Sequence, residues 1–151
     1  ARLQNAGILV RPHPENRQPW MRLEGFSEEN VSVWPPVGAN PVDDASQADY
    51  FDSMYHSSGV VGINSSGLIE AGIIGRRVHT VLDPYFTATQ SGTIHFHYLV
   101  NVGGGLLSLA NSWNEHLTQL LESLDAEGKA EDENREFVEA FVGRLRSRVQ
   151  P

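Results

Sequence analysis

Short apolar runs that alternate with stretches of helical spacing constrain this chain more than any other feature. Gly7-Ile8-Leu9-Val10 is stopped by Pro12 and Pro14, Val31-Ser32-Val33-Trp34 by Pro35-Pro36, and Val78-His79-Thr80-Val81-Leu82 by Asp83-Pro84. Gly59-Val60-Val61-Gly62-Ile63 and Leu106 to Leu109 have the same character. Runs of this length, bounded by turn residues, read as buried strands. Helices are expected between them. One is capped by Asp44 or Ser46 and runs through Tyr55, with Tyr50, Phe51, Met54 and Tyr55 at helical spacing. A second spans Ser65 to Ile74 and closes on Gly75, and a third runs from a cap at Asn111 or Ser112 to about Leu124. Continuous apolar strands alternating with helices predict an α/β chain, an open parallel sheet with helices on both faces.

The expected organisation is one domain over 1–125, a mobile acidic loop over 126–135 and a C-terminal helix over 136–151. Phe137, Phe141 and Leu145 stand one helical turn apart and give that last helix an apolar face. Glu15 to Asn30 is polar, with Trp20, Met21 and Leu23 as anchors of a short helix or loop. Tyr85 to Gly105 mixes Thr, Gln, His and Gly and resists assignment, and Gly103-Gly104-Gly105 reads as a flexible turn.

Composition removes several function classes. A formal charge of −8 argues against a nucleic-acid surface, which needs clustered Lys and Arg to neutralise phosphates. Without cysteine there are no disulfides, thiolate metal sites or cysteine nucleophiles, which fits a reducing compartment. No apolar run approaches the roughly 20 residues of a membrane span. A cytoplasmic location, or a peripheral one at the inner membrane face, is expected. Residue 1 is Ala and no signal pattern precedes Gly7, so the sequence reads as beginning inside a longer protein, a processed terminus being the alternative.

In an open parallel sheet, ligands bind along the edge formed by the strand C-termini. Topology would bring Arg11-Pro12-His13-Pro14, Asn64-Ser65-Ser66 and Asp83-Pro84 to that edge. Asn64, Ser65, Ser66 and Gly67 offer hydroxyls and free N–H groups at a helix N-terminus, where the dipole favours an anion. Gly62 and Gly67 remove side chains where a phosphate must approach. Glu70 falls four residues after Ser66, out of step with a capping box, and is placed to accept two ribose hydroxyls. Alternatively, Ser65 or Ser66 simply caps the helix and Glu70 is solvated. His13, with Arg11, can bond a phosphate or sugar, or merely satisfy a backbone group. Gln90, Ser91 and Thr93 have the hydrogen-bonding character of a sugar pocket, and His95 and His97 belong to the same polar loop, bordering the sugar or packing locally. If Thr93 to Leu99 is extended, His95 and His97 share a face and form a metal pair, though no further ligand is identified and no metal is assigned. Neither G-x-G-x-x-G nor a Walker lysine is present, which disfavours dinucleotides and P-loop nucleotides.

The succession Arg11-Pro12-His13-Pro14, then Val60 to Ala71, then Gly75-Arg76-Arg77-Val78 resembles the C-terminal half of GT-B glycosyltransferases. The relevant groups are the capsule and surface polysaccharide transferases, the CDP-glycerol glycerophosphotransferases and the UDP-N-acetylglucosamine 2-epimerases. The resemblance covers about residues 7 to 110 and implies a Rossmann-like domain that binds a nucleotide-diphosphate sugar carrying UDP, CDP or GDP. It makes Ser65 and Ser66 diphosphate contacts, Glu70 the ribose ligand, and Arg11 to Pro14 a border of the phosphates or sugar. It further implies an N-terminal Rossmann-like partner domain in the same protein, absent from this chain. No catalytic base is transferred, no separate cofactor is implied, and the fragment alone is expected to be inactive. A non-catalytic Rossmann-like binding module and a His-based metal enzyme are the alternatives.

Overall fold

The computed structural model describes residues 6–15, 17–21, 28–36, 38–125 and 131–149. The chain is α/β, and the five strands among the described residues pair with one another in parallel. They do not join one sheet. The first two form a two-stranded sheet and the last three a separate three-stranded one. The chain correspondingly divides into compact units over 1–53 and 54–151, where the sequence pattern had suggested a single domain to residue 125.

In the first unit β1 (Ile8–Val10) pairs with β2 (Val31–Val33), Ile8 opposite Val31. Ile8 and Leu9 are 55% and 46% exposed, against the expectation of a buried strand. A sheet of two strands is too narrow for flanking layers to close over both faces of an apolar run. Between them lies the short helix α1 (Arg17–Met21), in which Trp20 is partly buried and Met21 exposed; Leu23 lies outside the described residues. α2 (Asp44–Tyr55) then leads into the second unit. Its cap is Asp43, one residue before Asp44 and three before Ser46, the expected candidates. Asp43 Oδ1 accepts from the Ser46 N–H (2.8 Å), and Ser46 Oγ accepts in return from the Asp43 N–H (3.2 Å). That is a reciprocal capping box with serine in the position usually held by glutamate.

The second unit has the strand order β3 (Gly59–Val61), β4 (Arg77–Val81), β5 (Leu107–Ala110). α3 (Ser66–Ile73) follows β3, α4 (Ile94–Asn101) follows β4, and α5 (Trp113–Asp125) follows β5. Helices therefore flank a Rossmann-like open parallel sheet. Strand periodicity sorts the β4 side chains by face. His79 meets Ser123 on α5, while Thr80, pointing the other way, is reached by Gln90 from the segment that leads into α4. Leu68, Ala71, Val78, Val81, Phe96, Leu99 and Leu106 make up the apolar interior.

α3 stops because Gly75 can adopt φ +80°. Its N–H donates to the Gly72 carbonyl and the Arg76 N–H to the Ala71 carbonyl (3.0 and 2.9 Å), the paired bonds of a Schellman end. α5 starts at Ser112, whose Oγ accepts from the Glu115 N–H at 3.2 Å.

The glycine run after α4 is not a flexible turn. Gly103, Gly104 and Gly105 all have positive φ, and a side chain at Gly103 would overlap the backbone of Glu136 and Phe137. The partner is α6 (Glu131–Val149), whose Phe137 is 1% exposed and stacks on Phe141 at 5.8 Å. Residues 131–135, expected within a mobile acidic loop, are its first turns. Asn134 holds them down: its Nδ2 donates to the Gly72 and Arg76 carbonyls (3.1 and 2.9 Å), capping the end of α3. Residues 126–130 and the side chain of Leu145 lie outside the described residues. Among the described residues no helix is long and apolar enough to cross a membrane.

Candidate functional site

The C-terminal edge of the β3–β4–β5 sheet carries Asn64 after β3 and Asp83 after β4. Arg11 and His13 follow β1 in the other sheet, so the expected single edge contains two of the three clusters. Two helix N-termini meet at Asn64. α3 begins one residue later at its N-cap Ser65, and α4 begins at its N-cap Thr93. Asn64 Nδ2 donates to the Thr89 carbonyl (2.8 Å) and to Thr93 Oγ1 (2.9 Å). Its Oδ1 meets His95 Nδ1 at 2.5 Å. A short polar side chain thus ties the start of one helix to the start of the next.

Ser65 has extended backbone angles, φ −145° and ψ 160°, as an N-cap should, but its hydroxyl makes no capping bond. The Leu68 N–H reaches only the Ser65 carbonyl, at 3.2 Å. In an α-helix the first N–H groups have no intrahelical acceptor, here those of Ser66 and Gly67. Ser66 is exposed, Ser65 and Gly67 half-buried. Glu70 is exposed one turn further along the same face. Gly62 plays a different part from the one expected: a Cβ there would come within 2.6 Å of Leu68 Cδ2. It leaves room for a core leucine, not for a phosphate.

Gln90 is not a pocket residue. It is fully buried, and its Nε2 faces Val81 O (2.9 Å), Thr80 Oγ1 (3.0 Å) and Ile63 O (3.3 Å). It satisfies backbone carbonyls that leave the ends of β3 and β4, which parallel pairing alone cannot satisfy. Asp83 caps the 3-10 turn Pro84–Phe86, accepting from the Tyr85 N–H at 2.8 Å.

His95 and His97 do not form a metal pair. Thr93 to Leu99 is not extended: residues i and i+2 on the helix α4 point about 200° apart. His95 turns to Asn64, whereas His97 is exposed beside Ile94, Tyr98 and Asn101. Among the described residues no group of three His, Asp or Glu side chains could hold a metal ion.

In the first unit, Arg11 is already paired. Its Nη1 lies 3.0 Å from Asp49 Oδ2, which also accepts from the Trp34 indole N–H at 3.0 Å. The Arg11 hydrogen bond, with that from Trp34, holds the Asp49 carboxyl below the usual carboxylate range. The Arg11 guanidinium also sits over the Tyr50 ring at 5.3 Å. His13 is exposed and its Nδ1 accepts from the Glu15 N–H at 3.3 Å, a local turn contact.

Two further titratable groups lie inside the second unit, on the α5 face of the sheet. His79 Nε2 is 2.9 Å from Ser123 Oγ, and the His79 and His116 rings meet edge-on at 6.3 Å. Burial, then the neighbouring His116 and Arg77, push the His79 pKa down to about 4, with Glu133 opposing. Burial also lowers that of His116. A buried Ser–His pair has the composition of a nucleophile and base, but at 8% and 1% exposure no substrate reaches it. It is a polar part of the core.

Thr93, read from the sequence as part of a polar loop, is instead the N-cap of α4, a role that sequence reasoning missed. Its signal was present: Phe96, Leu99 and Val102, all buried, recur every third position behind a threonine, the mark of a capped helix. No protein-family model, curated protein or solved structure shows a significant match to this chain.

Proposed function

We propose that the second unit binds the diphosphate of a nucleotide-diphosphate sugar at the N-terminus of α3, as the donor-binding half of a glycosyltransferase-like enzyme. The observation that carries the reading is the uncapped start of α3. Ser65 is in cap geometry without using its hydroxyl as a cap, which leaves the Ser65 and Ser66 hydroxyls and the first N–H groups to an anion. Glu70 then meets the ribose hydroxyls, one turn in. UDP, CDP and GDP all satisfy this arrangement.

Magnitudes show why the neighbours matter. A helix N-terminus contributes about 0.3–1 kcal/mol to an exposed anion, and about 2 kcal/mol in a favourable geometry. Micromolar binding needs roughly 8 kcal/mol. The remainder must come from hydroxyl, amide and imidazole contacts, and Asn64 brings His95 to this same point. Arg11 and Gln90 drop out of the ligand set, since Asp49 holds the first and backbone carbonyls hold the second. That loss favours a second reading, a non-catalytic binding module using the same edge.

Calorimetry with UDP-, CDP- and GDP-sugars tests the proposal. Binding that weakens at least tenfold in both Ser66→Ala and Glu70→Ala supports it. Binding undiminished in both removes the α3 N-terminus as the site.

A further inference from the structure

Donor and acceptor roles around Asn64 are forced, one by the next. The Gln90 carbonyl can only accept, so the Thr93 hydroxyl, 2.8 Å away, gives its proton there. Thr93 Oγ1 must then accept from the two nitrogens facing it, the Phe96 N–H at 3.2 Å and Asn64 Nδ2 at 2.9 Å. The Thr89 carbonyl, 2.8 Å from Asn64 Nδ2, fixes the amide the same way by an independent contact. Asn64 Oδ1 therefore faces His95. An amide oxygen has no proton to give, so His95 Nδ1 carries the hydrogen of that bond. A neutral imidazole has one N–H, and Nε2 is left with a bare lone pair. No described residue hydrogen-bonds to Nε2, and the ring is only half-buried.

We infer that Asn64 is a positioning residue that holds His95 as the Nδ1–H tautomer, so that Nε2 accepts a hydroxyl of the sugar in a bound nucleotide-diphosphate sugar. This rests on the reading of the α3 N-terminus given above. Chemistry selects the hydroxyl. A phosphate oxygen would need an N–H at Nε2, which this tautomer withholds, and two lone pairs repel. A metal ion would need further ligands, and none of the described His, Asp or Glu side chains supplies them as a group of three. The diphosphate thus goes to the backbone N–H groups of α3, and His95 discriminates the sugar beyond it.

Long-range proton–nitrogen NMR of the histidine rings reads the tautomer, and calorimetry with UDP and UDP-glucose reads the contact. At about pH 8.5, where imidazoles are neutral, His95 should show protonated Nδ1 and bare Nε2. Asn64→Leu, which removes the oxygen that faces Nδ1, should lose that pattern. His95→Ala should weaken UDP-glucose about tenfold, the size of one hydrogen bond, and leave UDP unchanged. A protonated Nε2 in the unmutated protein overturns the inference. So does equal loss of UDP and UDP-glucose in His95→Ala. If neither nucleotide binds the unmutated protein, the reading of the α3 site falls and the sugar contact with it, while a protonated Nδ1 would leave the Asn64–His95 orientation standing as structure alone.

Discussion

His79 sits on the α5 face of β4 with 1% of its surface exposed, and its Nδ1 makes no hydrogen bond. Burial, assisted by His116 and Arg77, lowers its pKa from 6.5 to about 4. In the unfolded chain the ring titrates at its ordinary value. Between these two values the unfolded state takes up a proton that the folded state refuses, so acid favours unfolding. The stabilisation is whole above pH 6.5, shrinks as the pH falls, and is gone near pH 4. At about 1.4 kcal/mol per unit, the full gap amounts to about 3 kcal/mol, of which about 2 kcal/mol falls between pH 7 and pH 5. Burial lowers the His116 pKa too and adds in the same direction. Urea unfolding followed by circular dichroism at the two pH values, for the unmutated protein and His79→Gln, isolates the effect. The variant should lose about 2 kcal/mol less on acidification, whatever its absolute stability. Parallel losses in the two proteins would refute the assignment of His79 as a neutral, buried core group.

Gln90→Ala removes the donor of the Val81 carbonyl and leaves the Ile63 carbonyl and the Thr80 hydroxyl with only their long mutual bond (3.4 Å), and should cost about 2–4 kcal/mol in chemical denaturation. Gly103→Ala meets both a φ of +53° and the backbone of α6, so it should lower stability by more than about 3 kcal/mol and speed amide exchange at Phe137. Asn134→Ala removes the side-chain donor of the Arg76 carbonyl and leaves the Gly72 carbonyl only the Gly75 N–H, and should cost about 1–3 kcal/mol, read from the same denaturation curves.

What the sequence made legible is short-range. Gly75 after an apolar helix, and Val78 to Val81 between a glycine turn and Asp83-Pro84, announce their structures within a few residues. α4 stayed hidden because Thr93-Ile94-His95-Phe96-His97 alternates polar and apolar, the period of a strand, and only the longer Phe96–Leu99–Val102 spacing shows the helix. Strand partnership is not local at all. Nothing in Ile8 to Val10 states that, among the described strands, its partner is Val31 to Val33, so one expected sheet became two. The same holds at the site. The Asn64-Ser65-Ser66 turn was readable as a helix start, but the acceptors around Gln90 come from residues 63, 80 and 81. The carboxylate that engages Arg11 lies 38 positions away in the chain. Long-range polar partners turned two expected ligand contacts into structural ones.

In the proposed function, a nucleotide-diphosphate sugar seats its phosphates on the start of α3. An amide NMR titration of the chain with UDP-glucose tests it at the residues themselves. Saturable shifts concentrated at Ser65, Ser66, Gly67 and Leu68, with the Asn64 side-chain amide and the His95 ring moving in step, are the expected result. Saturable shifts elsewhere, or a spectrum unchanged by the nucleotide sugar, would contradict it.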